Sequence, residues 1–97
     1  MVKFGILAKM VAKPGKEQEA ADFLKSALPL AQAEQGTIHW FALKLDNSTF
    51  GIFDTFETEE GRQAHLSGEI AKALMAKAPD LFSEAPDIKQ IDILAGK

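Results

Sequence analysis

Cysteine and tyrosine are both absent from this chain of 97 residues. Without cysteine there is no disulfide framework, no thiolate metal site and no cysteine nucleophile. The apolar runs are far shorter than the ~20 residues of a membrane-spanning helix, and the run near the first residue is too short for a signal peptide. These absences predict a cytoplasmic protein with no membrane partner.

Clusters of basic residues are missing as well. The chain carries 11 Lys and Arg against 14 Asp and Glu, and its net charge is −3. Nucleic-acid binding needs clustered positive charge, so nucleic acid is not expected as a partner. The two histidines have no acidic residue at ligand spacing, and there is neither a phosphate-binding glycine loop nor a nucleophile elbow. We therefore expect no metal and no cofactor.

The most informative stretch that the chain does contain is residues 37–57. Two runs rich in aromatic and β-branched residues flank three turn-forming residues at 46–48, which predicts a β-hairpin. Alternation places Trp40 on one face of the first strand and His39 on the other. In the second strand, Asp54 shares a face with apolar residues. Both faces of the hairpin are apolar over most of its length, so both need to be covered.

The remaining pattern completes the order β-α-β-β-α-β. The predicted elements are a strand at 2–12, a helix at 16–35 with a kink at Pro29, the hairpin, helices at about 58–66 and 69–78 with the second ended by Pro79, and a strand at 88–95. This is the ferredoxin-like α+β arrangement, a four-stranded antiparallel sheet with helices on one face. We expect a single domain over residues 1–97.

The face of the sheet that the helices leave bare is predicted to be apolar. It would carry either Phe41, Leu43 and Leu45 from the first hairpin strand, or alternatively Trp40 and its neighbours. An exposed apolar surface that spans a four-stranded sheet is unfavourable in water. The pattern predicts a two-fold homodimer in which the sheets pack face to face.

Two motifs resemble the antibiotic biosynthesis monooxygenase family of small dimeric α/β-barrel proteins. Residues 13–17, Lys-Pro-Gly-Lys-Glu, are similar to the KPGKE segment of that family. Residues 54–60, followed by Ala-His-Leu at 64–66, are similar to its E-x-W-x-x-x-E-A…x-A-H-L-x-S passage, with Phe56 where Trp is common. The resemblance covers nearly the whole chain.

This resemblance implies a dimeric α/β barrel that oxygenates phenolic or quinol-like rings without metal or flavin. The chain departs from the family in having no tyrosine, and Trp40 stands on the hairpin where relatives often carry Tyr. Haem-degrading relatives use an Asn on the first strand and a His ligand on the later helix. The corresponding residues here are Ala8 and Met75, so haem degradation is not expected.

Six residues are candidates for the site that the resemblance implies. Trp40 would stack on a planar ring or donate its indole N–H, unless it is a core or interface aromatic. His65, with an ordinary pKa near 6.5, would remove a phenolic proton as a catalytic base, unless it only makes a structural hydrogen bond. The substrate-binding candidates are Phe4, Phe53, Asp54 and Arg62.

Two of these candidates also have plain structural interpretations. Burial on an apolar face would raise the pKa of Asp54 unless it pairs with a Lys across the sheet or the dimer interface. Arg62 either binds a substrate oxyanion or is an exposed helical residue near Glu59.

The function predicted from these residues and the resemblance is cofactor-independent monooxygenation of a small phenolic, quinol or polycyclic aromatic molecule. Because no cofactor-binding motif is present, the substrate itself would donate electrons to O₂. Two alternatives stay open. One is a non-catalytic dimer that binds a small apolar ligand, and the other is a structural or stress-related dimer of the same fold.

Overall fold

The computed structural model describes residues 1–97 and contains four β-strands and four helices. In chain order they are β1 (Phe4–Val11), α1 (Glu17–Ser26), α2 (Leu28–Ala33), β2 (Thr37–Lys44), β3 (Thr49–Phe56), α3 (Glu59–Leu66), α4 (Glu69–Leu81) and β4 (Asp87–Asp92). The strands form one antiparallel sheet in the order β2-β3-β1-β4. The predicted ferredoxin-like α+β fold is confirmed, with each of its two helical regions divided into two helices.

The core lies between one face of the sheet and the helices. Alternate residues of β1 point toward the helices, and Ile6, Ala8 and Met10 are 1–4% exposed. They pair with residues of β3 that face the same way, including Ile52 opposite Ala8 and Phe50 opposite Met10. Apolar side chains of α1 and α4 complete this layer, which confirms the predicted apolar face of the first strand.

The first helical region is broken close to Pro29. Helix α1 ends at Ser26, and α2 begins at Leu28 with Pro29 in its first turn. Proline has no N–H to donate, and its ring clashes with the turn before it, so a helix start is where it fits best. The irregularity predicted at Pro29 is therefore a change from one helix to the next.

The second helical region passes through Pro79, and the prediction that Pro79 ends this helix is wrong. Helix α4 continues to Leu81, and the Phe82 N–H still donates to the Ala78 carbonyl at 2.9 Å. A proline inside a helix leaves the carbonyl four residues earlier without its donor. That residue is Met75, which is 57% exposed, so water can bond the freed carbonyl.

The predicted hairpin is confirmed, and its turn is held by one carboxylate. Asp46 accepts hydrogen bonds from the N–H groups of Ser48 at 2.9 Å and Thr49 at 2.7 Å. These bonds favour the ionised form and lower the pKa of Asp46. At the other end of the hairpin, the pairing of β2 with β3 is shifted between Thr37 and His39, a bulge that leaves Ile38 44% exposed.

The sheet face opposite the helices is uncovered and largely apolar. Leu7, Phe41, Leu43 and Leu45 are 42%, 51%, 38% and 54% exposed. The sheet of one chain is open, with β2 and β4 as its two edges, so no closed barrel forms within the chain. None of the helices has the length and apolar character needed to cross a bilayer.

Candidate functional site

Helix α3 carries two ionisable side chains into the interior. Thr58 caps its first turn, accepting the Gly61 N–H on Oγ1 at 3.0 Å, as the sequence predicts for this residue. Arg62 and His65 lie three positions apart, so they share one face of the helix. That face packs on the sheet, and each of the two residues is only 8% exposed.

His65 lies between two carboxylates. Its Nδ1 is 2.6 Å from Glu34 Oε1, and its Nε2 is 2.9 Å from Asp54 Oδ2. The first contact is a hydrogen bond. The second is an ion-pair contact through Oδ2, and the other oxygen of Asp54, Oδ1, has no partner. Asp54 is 0% exposed, and its partner is this histidine rather than the lysine considered from the sequence.

The position of Glu34 depends on the contact of two glycines. Gly36, which follows α2, approaches Gly61 of α3 so closely that a Cβ on Gly36 would lie 3.0 Å from the Gly61 Cα. The backbone of Gly36 is not left-handed, since Gly15 alone has a positive φ. The lack of a side chain at Gly36 therefore allows its backbone to approach that of Gly61 closely. This approach brings Glu34 to His65. Thr37 adds a hydrogen bond from its Oγ1 to Glu34 Oε1 at 2.7 Å.

A Gly36→Ala variant should consequently be less stable by about 1–3 kcal/mol, the usual cost of forcing an extra carbon into a packed site. The measurement is urea denaturation, together with an NMR titration of His65, whose pKa should fall as Glu34 is displaced. Gly96→Ala is the matched control, because a Cβ there meets nothing within 4 Å. Equal stability of both variants and an unchanged His65 titration would contradict this account of Gly36.

Opposing effects act on the protonation of His65. Desolvation on burial disfavours the imidazolium and is the largest influence on its pKa. The carboxylates of Asp54 and Glu34 together outweigh it, so the pKa of His65 lies above its ordinary value of 6.5. Protonation of His65 is therefore more favourable than protonation of a free imidazole. Both of its ring nitrogens are engaged by carboxylates.

Trp40 borders the same site from the neighbouring strand. It is the register partner of Asp54 in the β2–β3 pairing, so both side chains point toward the helices. Its ring packs against core residues that include Ala27, Ala31 and Ile70. The indole Nε1 is buried and has no hydrogen-bond partner. Trp40 and Asp54, which are cross-strand neighbours, thus each have a buried polar atom without a hydrogen-bond partner.

The side chain of Arg62 is hydrogen-bonded to other residues of the same chain. It donates to Glu59 Oε2 at 2.6 Å and to the Ile91 carbonyl at 3.0 Å. Its guanidinium also lies 5.0 Å from the ring centroid of Phe4. The interpretation of Arg62 as an exposed helical residue is wrong, because the helix turns it toward the sheet; its predicted neighbour Glu59 is indeed its partner.

The candidates from the sequence fall into three places. Asp54, His65 and Trp40 come together between the sheet and the helices. Phe4 and Arg62 form a separate contact toward β4. Phe53 points to the opposite, uncovered face of the sheet, because it adjoins Asp54 on the same strand.

Glu34 is the site residue that the sequence does not reveal. It is separated from His65 by 31 positions. It belongs to no motif, and its arrival at His65 depends on where α2 ends. The two carboxylates approach opposite ring nitrogens and do not converge as metal ligands would. No group of three or more potential ligand side chains is arranged to hold a metal ion.

An open groove of about 250 Å³ lies on the surface beside Trp40. It runs between α2 and β2, and its lining residues are Leu28, Ala31, Gln32, Thr37, Ile38 and Trp40. A larger groove of about 420 Å³ lies at the end of α4 and includes none of the candidate residues. The smaller groove is the relevant one, because Trp40 forms part of its wall and Asp54 is the strand neighbour of Trp40.

Comparison with solved structures finds a protein of high similarity. The NE2512 protein of unknown function from Nitrosomonas europaea is 57% identical, with a TM-score of 0.97, over 100% of this chain and 94% of its own length. No family model matches the chain.

Two further structures, from Nitrosomonas europaea and Chloroflexus aurantiacus, bear the name "putative antibiotic biosynthesis monooxygenase". They are 14% and 19% identical, with TM-scores of 0.83 and 0.74. The aligned regions cover 95% and 98% of this chain and 90% and 96% of theirs. At that identity the likeness establishes a shared fold.

Proposed function

Since this chain belongs to the same family as the NE2512 protein, whose function is unknown, we propose a function from its own site. The protein is a cofactor-independent monooxygenase that acts on a small phenolic, quinol or polycyclic aromatic molecule. Similarity in fold to proteins named as monooxygenases supports this proposal. The buried Asp54–His65–Glu34 cluster carries it.

A purely structural role explains this cluster poorly. Removing ionised groups from water is costly, and apolar residues of similar volume are often at least as stabilising as a buried ion pair. Titratable groups of shifted pKa beside a groove are instead typical of sites that transfer protons. In this chain the shifted group is His65, and the groove reaches its neighbour Trp40.

The proposed reaction starts with the loss of a substrate proton. Because both ring nitrogens of His65 are engaged by carboxylates, the proposed proton acceptor is the Asp54 carboxylate, and His65 stabilises its charge. The electron-rich ring then reacts with O₂. For a ring methylene, CH₂ and O₂ become C=O and H₂O, so the carbon supplies all four electrons and one oxygen atom leaves as water.

The uncovered apolar face lies on the side of the sheet opposite this site. We propose a homodimer in which the uncovered sheet faces of two copies pack together, which would bury Leu7, Phe41 and Leu43. A stable protein–protein interface typically buries ~800 Å² of accessible surface on each partner.

The dimer is tested by light scattering at micromolar concentration. The wild-type chain should scatter as a dimer, and Phe41→Glu should scatter as a monomer because it places a charge in the interface. Leu94→Glu is the matched control, since Leu94 is 93% exposed outside the sheet. A monomeric wild-type protein would refute this assembly.

The enzymatic proposal is tested by oxygen consumption over a panel of hydroquinones, naphthols and anthrone-like tricyclic compounds. The purified protein should exceed the autoxidation blank with at least one compound. Asp54→Asn should lower that rate ~100-fold or more, the usual contribution of a positioned base. Asp92→Asn, the same change at an exposed strand position, should keep the rate.

Two results would refute the proposal. One is an Asp54→Asn variant that folds normally and consumes oxygen at the wild-type rate. The other is saturable binding of panel members with no oxygen uptake, which would favour a non-catalytic ligand-binding protein.

A further inference from the structure

Three residues keep a buried polar atom without a hydrogen-bond partner: Trp40 at its indole Nε1, Arg62 at Nε, and Asp54. Of the two Asp54 oxygens, Oδ2 contacts His65, so Oδ1 is the free acceptor of a residue that is 0% exposed. Buried polar groups in folded proteins are almost always hydrogen-bonded, so each exception calls for an explanation. Trp40 and Asp54 are register partners on adjacent strands and point to the same side of the sheet.

One hydroxyl group has the chemistry to satisfy both. Its oxygen accepts the indole N–H, and its hydrogen is donated to the carboxylate. A carbonyl oxygen has no hydrogen for Asp54, and an ammonium group has no lone pair for the indole. A carboxylate or phosphate group would be repelled by Asp54 and by Glu34 nearby. The complementary group is therefore neutral and carries an O–H.

The surroundings of Trp40 indicate what the hydroxyl is attached to. The groove that the indole borders is lined mainly by apolar side chains, among them Leu28, Ala31 and Ile38. Its volume of about 250 Å³ suits a ligand of one or two rings. An aromatic ring in the groove would pack against the indole face while its hydroxyl points inward.

We propose that Trp40 and Asp54 form a subsite for one hydroxyl group of a hydroxylated aromatic ligand. This subsite rests on the proposed function for its choice of ligand and specifies how that ligand is recognised. Trp40 is a specificity residue through its N–H as well as its ring. His65 is a positioning residue, since it contacts Asp54 Oδ2 and leaves Asp54 Oδ1 for the ligand.

The experiment compares 1-naphthol with 1-methoxynaphthalene, which has the same rings and oxygen but no O–H. Binding is measured by equilibrium dialysis without oxygen, so that no turnover interferes. The wild-type protein should bind 1-naphthol at least 10-fold more tightly. Trp40→Phe keeps an aromatic wall without the N–H, and most of this preference should disappear. Asp54→Asn should also reduce it, whereas Asp92→Asn should not.

Equal binding of the two compounds, or an unchanged preference in Trp40→Phe, would overturn the subsite. So would absence of 1-naphthol binding with an ordered water between the two groups in a crystal structure. If Asp54→Asn does not fold, Trp40→Phe alone decides the outcome. Selective binding without oxygen uptake would uphold the subsite and refute the monooxygenase. Oxygen uptake without a preference for 1-naphthol would refute the subsite and support the monooxygenase.

Discussion

An Asp54→Ala variant should lose about 3 kcal/mol of its free energy of unfolding, the lower end of the range for breaking a buried ion pair. The change removes one of two carboxylates from a histidine that is only 8% exposed, and it leaves a cavity at a position that is fully buried. The loss stays at the lower end because Glu34 still bonds His65. Urea denaturation at pH 7 measures it.

The matched control is Asp92→Ala. Asp92 is exposed on β4, and surface changes of this kind usually alter stability by no more than about 0.5 kcal/mol. Similar losses in the two variants would contradict a special role for Asp54.

A double-mutant cycle separates the charge contact from simple packing. If Asp54 stabilises the fold through His65, removing both side chains should cost less than the sum of the two single losses. For residues in direct contact the difference is ordinarily about 0.5–3 kcal/mol. Strictly additive losses would mean that Asp54 acts through its volume alone, and the ion pair would then contribute nothing.

The sequence is sufficient for the fold because its patterns are local. The alternation in residues 37–57 predicts that Trp40 and His39 lie on opposite faces, as do Asp54 and Phe53, and the register confirms this. Which face packs on the helices is settled by the structure: it is the face of Trp40 and Asp54. The bare apolar face follows from the same alternation. Pro79 shows the limit of local rules, since a proline near a helix end can remain inside the helix where the residue that loses its bond is exposed.

The candidate site is less predictable because it depends on distant contacts. Asp54 lies on an apolar face, which indicates that its carboxylate is in an unusual environment. Nothing in the neighbouring sequence identifies His65 as its partner. Glu34 joins only because Gly36 lets the α2–β2 connection touch α3. The burial of Arg62 likewise follows from how α3 lies on the sheet.

Stability should fall as the pH rises above about 6.5, and His65 should be the cause. In the unfolded chain its pKa is near 6.5, and in the folded protein Asp54 and Glu34 outweigh desolvation to raise it. Between these two values the folded state holds more protons than the unfolded state, so the free energy of unfolding decreases with pH. The stabilisation is complete below the unfolded pKa and is lost through the folded pKa.

The slope for one titrating group is at most about 1.4 kcal/mol per pH unit. Urea denaturation between pH 6 and pH 9 measures it. His65→Gln should flatten the curve, because the imidazolium is gone and the remaining amide does not titrate.

His39→Gln supplies the comparison that assigns the effect. His39 is the other histidine of the chain, and it lies on the opposite sheet face, where its Nδ1 is 2.8 Å from Thr55 Oγ1 and its ring stacks on Phe41. This variant should retain the alkaline decline. If instead His65→Gln declines like the wild-type protein, the two carboxylates do not hold a proton on His65. The Asp54 carboxylate would then lose its place as the proton acceptor, because a neutral imidazole could take that role.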